Sequence, residues 1–225
     1  MFKSLVVVFS SLFLLSACTQ KFNDVNATLD EALFGVDDVV LSKQQIIELP
    51  YASSFVRING GANLFMVLAF AEKNPETGAM QLKWLSSDKA MIVTEGGRII
   101  KTLGLAEANL SNITPISSSS LPSLASISKN QTTWSAHYDW MLNDHYLFNY
   151  QANITPVLRG KSTIETTIWN KDVTEVVEVI SIPSLDYSFT NQYWLDEQFN
   201  VVKTHQYLGP DIGDIEMTIL KPFAL

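Results

Sequence analysis

Few residues of this chain have side chains that could act as a nucleophile, a metal ligand or an acylation site. The 225 residues include one cysteine, Cys18, and three histidines, His137, His145 and His205. A lone cysteine cannot form an internal disulfide. His137 and His145 could approach each other across a hairpin, but two histidines without a third ligand are weak evidence for a metal site. G-x-S-x-G, P-loop and H-E-x-x-H motifs are absent, so we expect no metal and no other cofactor.

Carboxylates are the remaining candidates for acid–base chemistry, and the sequence pairs none of them. Glu175 and Glu178 interrupt the valine-rich stretch “VTEVVEVI”, where their spacing points them to opposite faces of a regular strand. A retaining glycosidase needs two carboxyl groups about 5 Å apart, and an inverting one needs them about 6.5–9.5 Å apart. Only the fold could bring Glu165 or Asp139 to such a partner. We interpret the carboxylates as solvated and expect the protein not to be an enzyme.

The residues before Cys18 predict a cleaved signal peptide. Lys3 provides a basic start, “LVVVFSSLFLL” is a short apolar run, and Ser16 and Ala17 are small. The apolar run is shorter than the roughly 20 residues that a membrane-spanning helix needs. Residues 1–17 are therefore predicted to be removed.

Leu15-Ser16-Ala17-Cys18 resembles the bacterial lipobox, in which the cysteine is acylated and becomes the first mature residue. Two or more acyl chains anchor a protein stably, whereas one does not. We therefore predict that Cys18 is lipidated and that residues 18–27 form a lipid-anchored tether; an ordinary signal peptide with an incidental cysteine is the alternative. Because Thr19 rather than aspartate follows, the lipobox resemblance implies the outer membrane of a Gram-negative envelope.

The composition after cleavage describes one mildly acidic domain. Removal of residues 1–17 leaves 14 basic and 23 acidic residues, a net charge of −9. Such a chain has no basic patch with which to bind nucleic acid. We predict a single β-rich domain over residues 28–225, a length that suits one all-β domain.

Local patterns predict one short helix followed by strands. Ser42 and Gln45 form a capping-box pattern before a helix over residues 43–49, and Pro50 ends it. Strand-forming stretches separated by turn residues follow to the C-terminus. Gly96-Gly97 lies between two of them and predicts a tight hairpin, because both glycines can adopt positive φ. The predicted fold is all-β, an antiparallel meander curled into a barrel or half-barrel.

Two stretches stand apart from this pattern. Residues 111–130 hold eight serines and no aromatic residue, which we interpret as a surface connection between two halves. Residues 132–151 are dense in aromatic residues, and Trp134, Tyr138 and Trp140 should share one strand face.

A two-residue turn in the aromatic stretch would pair Trp140 with Leu147, with Tyr146, Phe148 and Tyr150 on the opposite face. We expect instead an odd loop centred on Asn143, which pairs Trp140 with Tyr146 and Tyr138 with Phe148 in one ladder. The ladder suits a core, and the alternative is that Trp140 and Tyr146 are exposed and stack on sugar rings.

Three longer stretches, taken in order, resemble a known bacterial family. They are “LPYASSFVRINGG”, “LKWLSSDKAMIVTEGGRIIKTLGL” and “QYLGPDIGDIEMTILKPF”. Together they resemble the YjbF/GfcB-type lipoproteins of exopolysaccharide and group 4 capsule loci. The resemblance implies a barrel-like outer-membrane lipoprotein with its domain in the periplasm. It also implies a role in making or exporting a surface polysaccharide, with the polysaccharide or components of its export machinery as partners.

The family resemblance supplies no catalytic residues. The matched Gly97 and Gly104 lie where the chain must turn, which is a backbone role. Arg98 is a candidate ligand contact, although an arginine at a hairpin edge usually faces solvent. The alternative function is a lipid or lipoprotein carrier, which would need an apolar cavity of several hundred cubic ångströms inside the half-barrel.

Overall fold

The computed structural model of the protein describes residues 39–106, 108–127, 131–143 and 145–224. The predicted signal peptide, Cys18 and the tether lie outside these ranges. Helix α1 spans Lys43–Glu48 and begins with the predicted capping box, in which the Ser42 side chain accepts from the Gln45 backbone N–H while the Gln45 side chain accepts from that of Ser42. Ile46 is the buried residue of this helix, and Lys221 donates to the Leu49 carbonyl beyond its C-terminus.

Twelve antiparallel strands follow, as the alternation of strand-forming and turn residues predicts. They are β1 Ser53–Ile58, β2 Leu64–Lys73, β3 Met80–Leu85, β4 Met91–Glu95, β5 Arg98–Leu103, β6 Ala108–Pro115, β7 Trp134–Leu142, β8 His145–Glu165, β9 Asn170–Ile182, β10 Tyr187–Leu195, β11 Val201–Tyr207 and β12 Asp214–Lys221. Helix α2, Leu124–Ile127, lies between β6 and β7, and a 3₁₀ turn over Pro183–Leu185 precedes β10. Among the described residues, no helix is both long and apolar enough to cross a membrane.

The sheet is a meander that curls back on itself. Its strand order is β5-β4-β3-β2-β1-β12-β11-β10-β9-β8-β7-β6, so β12 pairs with β1 and the edges are the consecutive strands β5 and β6. The two edges meet where the Leu110 N–H donates to the Thr102 hydroxyl at 2.9 Å. The predicted barrel is confirmed as a nearly closed one, with a side-chain contact where a backbone ladder would complete it.

The long β8–β9 hairpin differs from the sequence interpretation. Residues 145–158 and 161–170 suggested separate strands, but β8 continues through Gly160 with a bulge between Leu158 and Gly160. Its far end extends past the barrel wall, and Trp169 at the turn donates from Nε1 to the Ile219 carbonyl at 2.8 Å.

The serine-rich stretch is only partly the predicted surface connection. Residues 111–115 belong to β6, which pairs with β7, so the stretch does not join two halves. Ser117–Ser119 are exposed, but Leu124 and Ile127 of α2 are buried against Val176, Tyr193 and Leu195. The low-complexity composition concealed the two aliphatic residues at spacing three that cover one end of the barrel.

Candidate functional site

One end of the barrel contains a cavity of about 600 Å³. Strands alternate in direction, so the β4–β5 turn, the β10–β11 turn and the start of β3 all lie at this end. The walls are largely apolar and include Met80, Leu82, Trp84, Val201, Met217 and Ile219. The segment before α2 covers part of the opening. A cavity of this size and lining can enclose a small molecule.

Three polar residues deep in the cavity differ in their hydrogen bonding. Trp84 Nε1 donates to Thr94 Oγ1 at 3.0 Å, and Gln81 Nε2 donates to Glu95 Oε2 at 3.1 Å. Thr204 is 4% exposed, and its Oγ1 has no hydrogen-bond partner among the described residues. A buried hydroxyl without a partner is unfavourable, so this atom is a preferred contact for a ligand.

A buried ion pair separates this cavity from the main core. Arg98 Nε and Nη2 donate to the two carboxylate oxygens of Glu178 at 3.0 and 2.8 Å, and Nη1 donates to the Pro122 carbonyl at 2.7 Å. Both side chains are less than 5% exposed. Trp134 and Tyr193 lie within 6 Å of the guanidinium carbon, over their rings. The bidentate geometry satisfies most of the arginine donors internally.

Charge and burial shape the protonation of this cluster. Burial alone would lower the pKa of Arg98, but the Glu178 carboxylate outweighs that effect and the pKa is raised. Burial, and then the charge of Glu178, also raise the pKa values of Tyr138 and Tyr193 above the usual tyrosine range. The pair therefore remains charged and the two phenols remain neutral at ordinary pH.

The β4–β5 turn places Arg98 inside the barrel. Gly96 and Gly97 have φ of 57° and 89°, which confirms the predicted tight hairpin. A Cβ on Gly97 would lie 2.5 Å from Val201 Cγ2, so the turn fits closely against β11 only without a side chain. Gly104 also has positive φ, 75°, beyond the end of β5, as the turn prediction requires.

Gln206 on β11 replaces part of the missing ladder at the edge of β5. Its Oε1 accepts from the Ile99 N–H at 3.0 Å, and its Nε2 donates to the Gly97 carbonyl at 3.0 Å. The Tyr193 hydroxyl contacts the same Oε1 at 3.3 Å. A side-chain amide thus holds the edge strand where no backbone neighbour is present.

Sequence reasoning missed most of this cluster. Glu178 was interpreted as solvated, and that is wrong: it is 2% exposed. Its valine neighbours on both sides were the available signal, since such a strand is buried and a carboxylate within it needs a cation. Arg98 was expected to face solvent, but it is 3% exposed and lies at the cavity wall. Gln206 and Thr204 carried no comparable signal.

The comparisons with known proteins agree with the fold and its landmarks. The family described as “Group 4 capsule polysaccharide lipoprotein gfcB, YjbF” matches residues 26–220. The chain belongs to this family.

Named relatives of the YjbF/GfcB family come from Escherichia coli K12. The uncharacterized lipoprotein YjbF is 32% identical over 209 residues, covering 92% of this chain and 93% of the relative. The uncharacterized lipoprotein GfcB is 29% identical over 228 residues, covering 98% and 99%. The crystal structure of the hypothetical lipoprotein YmcC from the same organism is 30% identical, with a TM-score of 0.70 over 82% of this chain and 91% of that one.

The family motif Leu208-Gly209-Pro210 has a packing role at the opposite end of the barrel from the cavity. Trp140 is fully buried, and its Nε1 donates to the Leu208 carbonyl at 2.7 Å. A Cβ on Gly209 would lie 2.5 Å from the same indole nitrogen. The hypothesis that Trp140 is exposed for sugar stacking is therefore wrong.

The aromatic hairpin has a different register from the one predicted. Trp140 pairs with Leu147 and Leu142 with His145, so the odd loop is wrong. Asn149 adopts a φ of 63° in a bulge, which brings Tyr150 back to the interior beside Trp140. The predicted common face of Trp134, Tyr138 and Trp140 is confirmed.

Tyr146 and Phe148 lie on the outer face as a stacked pair. They are 59% and 62% exposed, and their ring centroids are 5.6 Å apart with 5° between the planes. The prediction that Tyr146 contacts a glycan or a partner stays a prediction. The histidines are dispersed, with His205 Nε2 2.8 Å from Asp214 Oδ2, and in the described ranges no three acidic, His or Cys residues cluster as metal ligands.

Proposed function

We propose that this protein is a non-enzymatic lipoprotein that assists the production or export of a surface polysaccharide from the outer membrane. The carrying observation is that the family match, residues 26–220, includes the whole barrel. The cavity supports a binding role, since apolar walls and a hydroxyl without a partner are features of a ligand site. The ionisable pair beside it supports the same interpretation, because Arg98 and Glu178 satisfy each other.

The anchor belongs to the same proposal. Acylated Cys18 would hold the protein in outer-membrane lipid, and the domain would lie in the periplasm. There it could contact the polysaccharide or components of its export machinery.

A deletion strain tests the leading proposal. Loss of the gene should abolish polysaccharide on intact cells while a cell-associated pool persists in lysates. A wild-type copy should restore the surface signal. A Cys18→Ser copy should neither incorporate labelled palmitate nor fractionate with outer membrane, and it should restore little surface polysaccharide. Loss of the cell-associated pool together with the surface signal, or polysaccharide cleavage by purified protein, would contradict the proposal.

A lipid or lipoprotein carrier is the second candidate, and the cavity is the observation that favours it. Its volume of about 600 Å³ falls in the range of small-molecule sites, and it lies inside the barrel, as a carrier requires. A carrier would move a labelled lipid between two vesicle populations. An accessory protein of export would leave the transfer rate at that of vesicles alone.

A further inference from the structure

The cavity has a polar pattern that selects among ligands. Its walls are apolar, and two of its deep polar groups, Thr94 Oγ1 and Glu95 Oε2, already accept hydrogen bonds from Trp84 and Gln81. Thr204 Oγ1 has no such partner. A ligand therefore gains most by burying an alkyl surface and offering one hydrogen-bonding group to this hydroxyl.

The charge of the cavity restricts the ligand further. Glu95 is buried at the wall, and its side-chain contact there is the uncharged amide of Gln81. Arg98 also lines the wall, but Glu178 neutralises it with two hydrogen bonds. The wall thus presents one uncompensated carboxylate, and like charges repel strongly where water is excluded.

We infer that the cavity binds one alkyl chain that carries an uncharged hydrogen-bonding group, such as the hydroxyl or ester of a neutral lipid. The Thr204 hydroxyl pairs with that group, and Glu95 disfavours an anionic head of the same length. The inference rests on the cavity alone and holds whichever of the two proposed functions the protein serves. The binding experiment below can therefore fail while the deletion experiment succeeds, and the reverse.

A displacement assay tests the ligand class. The mature chain from residue 18 onward, carrying Cys18→Ser, needs no detergent that could fill the cavity. N-phenyl-1-naphthylamine, an uncharged fluorophore that brightens in apolar sites, serves as the probe. Monododecanoylglycerol should displace it at a concentration at least about fivefold lower than dodecanoate at pH 8, and Glu95→Gln should narrow that ratio. Equal or stronger displacement by dodecanoate would overturn the preference for an uncharged head.

Variants at the opening test the location. Ala79 is a partly buried residue of the β2–β3 turn that lines the cavity, whereas Glu76 in the same turn is exposed and does not line it. Ala79→Trp should remove most of the probe signal, and Glu76→Trp should retain it. Ser123→Trp, on the other side of the opening, is a second blocking variant should Ala79→Trp lower the melting temperature. Full probe binding by folded blocking variants would overturn the location.

Thr204→Val tests the hydrogen bond separately. Valine has nearly the same shape but no hydroxyl, so the variant should melt no lower than wild type, because an unpaired buried group is removed. It should weaken monododecanoylglycerol binding about fivefold and leave the probe unaffected. Unchanged displacement by monododecanoylglycerol would overturn the role of Thr204.

Discussion

The two ends of the barrel solve the problem of filling the interior differently. At one end, Trp140, Tyr138 and Tyr150 pack together and the loop carrying Gly209 closes over the indole. At the other end, the interior holds a cavity behind an ion pair and a short covering helix. Both ends are built from the same twelve strands, so the difference lies in side-chain volume and charge. A continuous sheet can therefore combine a packed structural end with an end shaped to bind.

The ion pair is better explained by geometry than by stability. A buried pair recovers roughly its desolvation penalty, and an apolar replacement of similar volume is often no less stable. The Arg98–Glu178 pair does connect three separate parts of the chain, since Arg98 also binds the Pro122 carbonyl before α2. It orients the edge strand β5, the opposite strand β9 and the covering segment around the cavity.

The packed end should be the more sensitive to truncation. Trp140→Ala removes a fully buried indole and leaves the Leu208 carbonyl without its donor. We expect a loss of about 4–6 kcal/mol in the free energy of unfolding, from the cavity created and the unpaired carbonyl. Urea denaturation measures it. Tyr146→Ala on the exposed face of the same hairpin is the control and should cost less than about 1 kcal/mol; similar losses in both variants would contradict the contrast between the two faces.

Breaking the ion pair should have the next largest effect. Arg98→Ala leaves the Glu178 carboxylate buried without a cation, at a cost of about 3–5 kcal/mol. The double variant Arg98→Met, Glu178→Leu should recover most of that stability, because no charge remains buried. Thermal unfolding of the three proteins decides the question. A double variant as unstable as Arg98→Ala would mean that the pair itself stabilises the cavity end.

Acid should weaken the cavity end through a smaller effect at Asp196. Burial would raise the pKa of this carboxyl, but Lys171 and the Asn200 backbone N–H outweigh burial and lower it below the ordinary value of 3.8. A lowered pKa stabilises the fold above about pH 4, and this contribution disappears as pH falls through the folded-state pKa. Melting temperatures from pH 7 to pH 3 should therefore fall less steeply in Asp196→Asn than in wild type. An equal slope would exclude Asp196 as a source of acid sensitivity.

Local patterns in the sequence were enough to predict most of the elements. The Ser42–Gln45 capping box, the Gly96-Gly97 turn and the alternating strands depend on residues close in the chain, and the structure contains all of them. The motifs around Tyr51, Gly97 and Leu208 also indicated the family, and they indicated the barrel through it.

The details that build the site depend on residues far apart. The Arg98–Glu178 pair joins residues 80 positions apart, and Gln206 reaches Ile99 across 107. The register of the aromatic hairpin was wrong for a related reason: a bulge at Asn149, stabilised by Asp139, changes which residues face inward. Local composition determined which segments became strands. Only the closure of the sheet decided which polar groups it buried together, because burial and pairing are properties of neighbours in space.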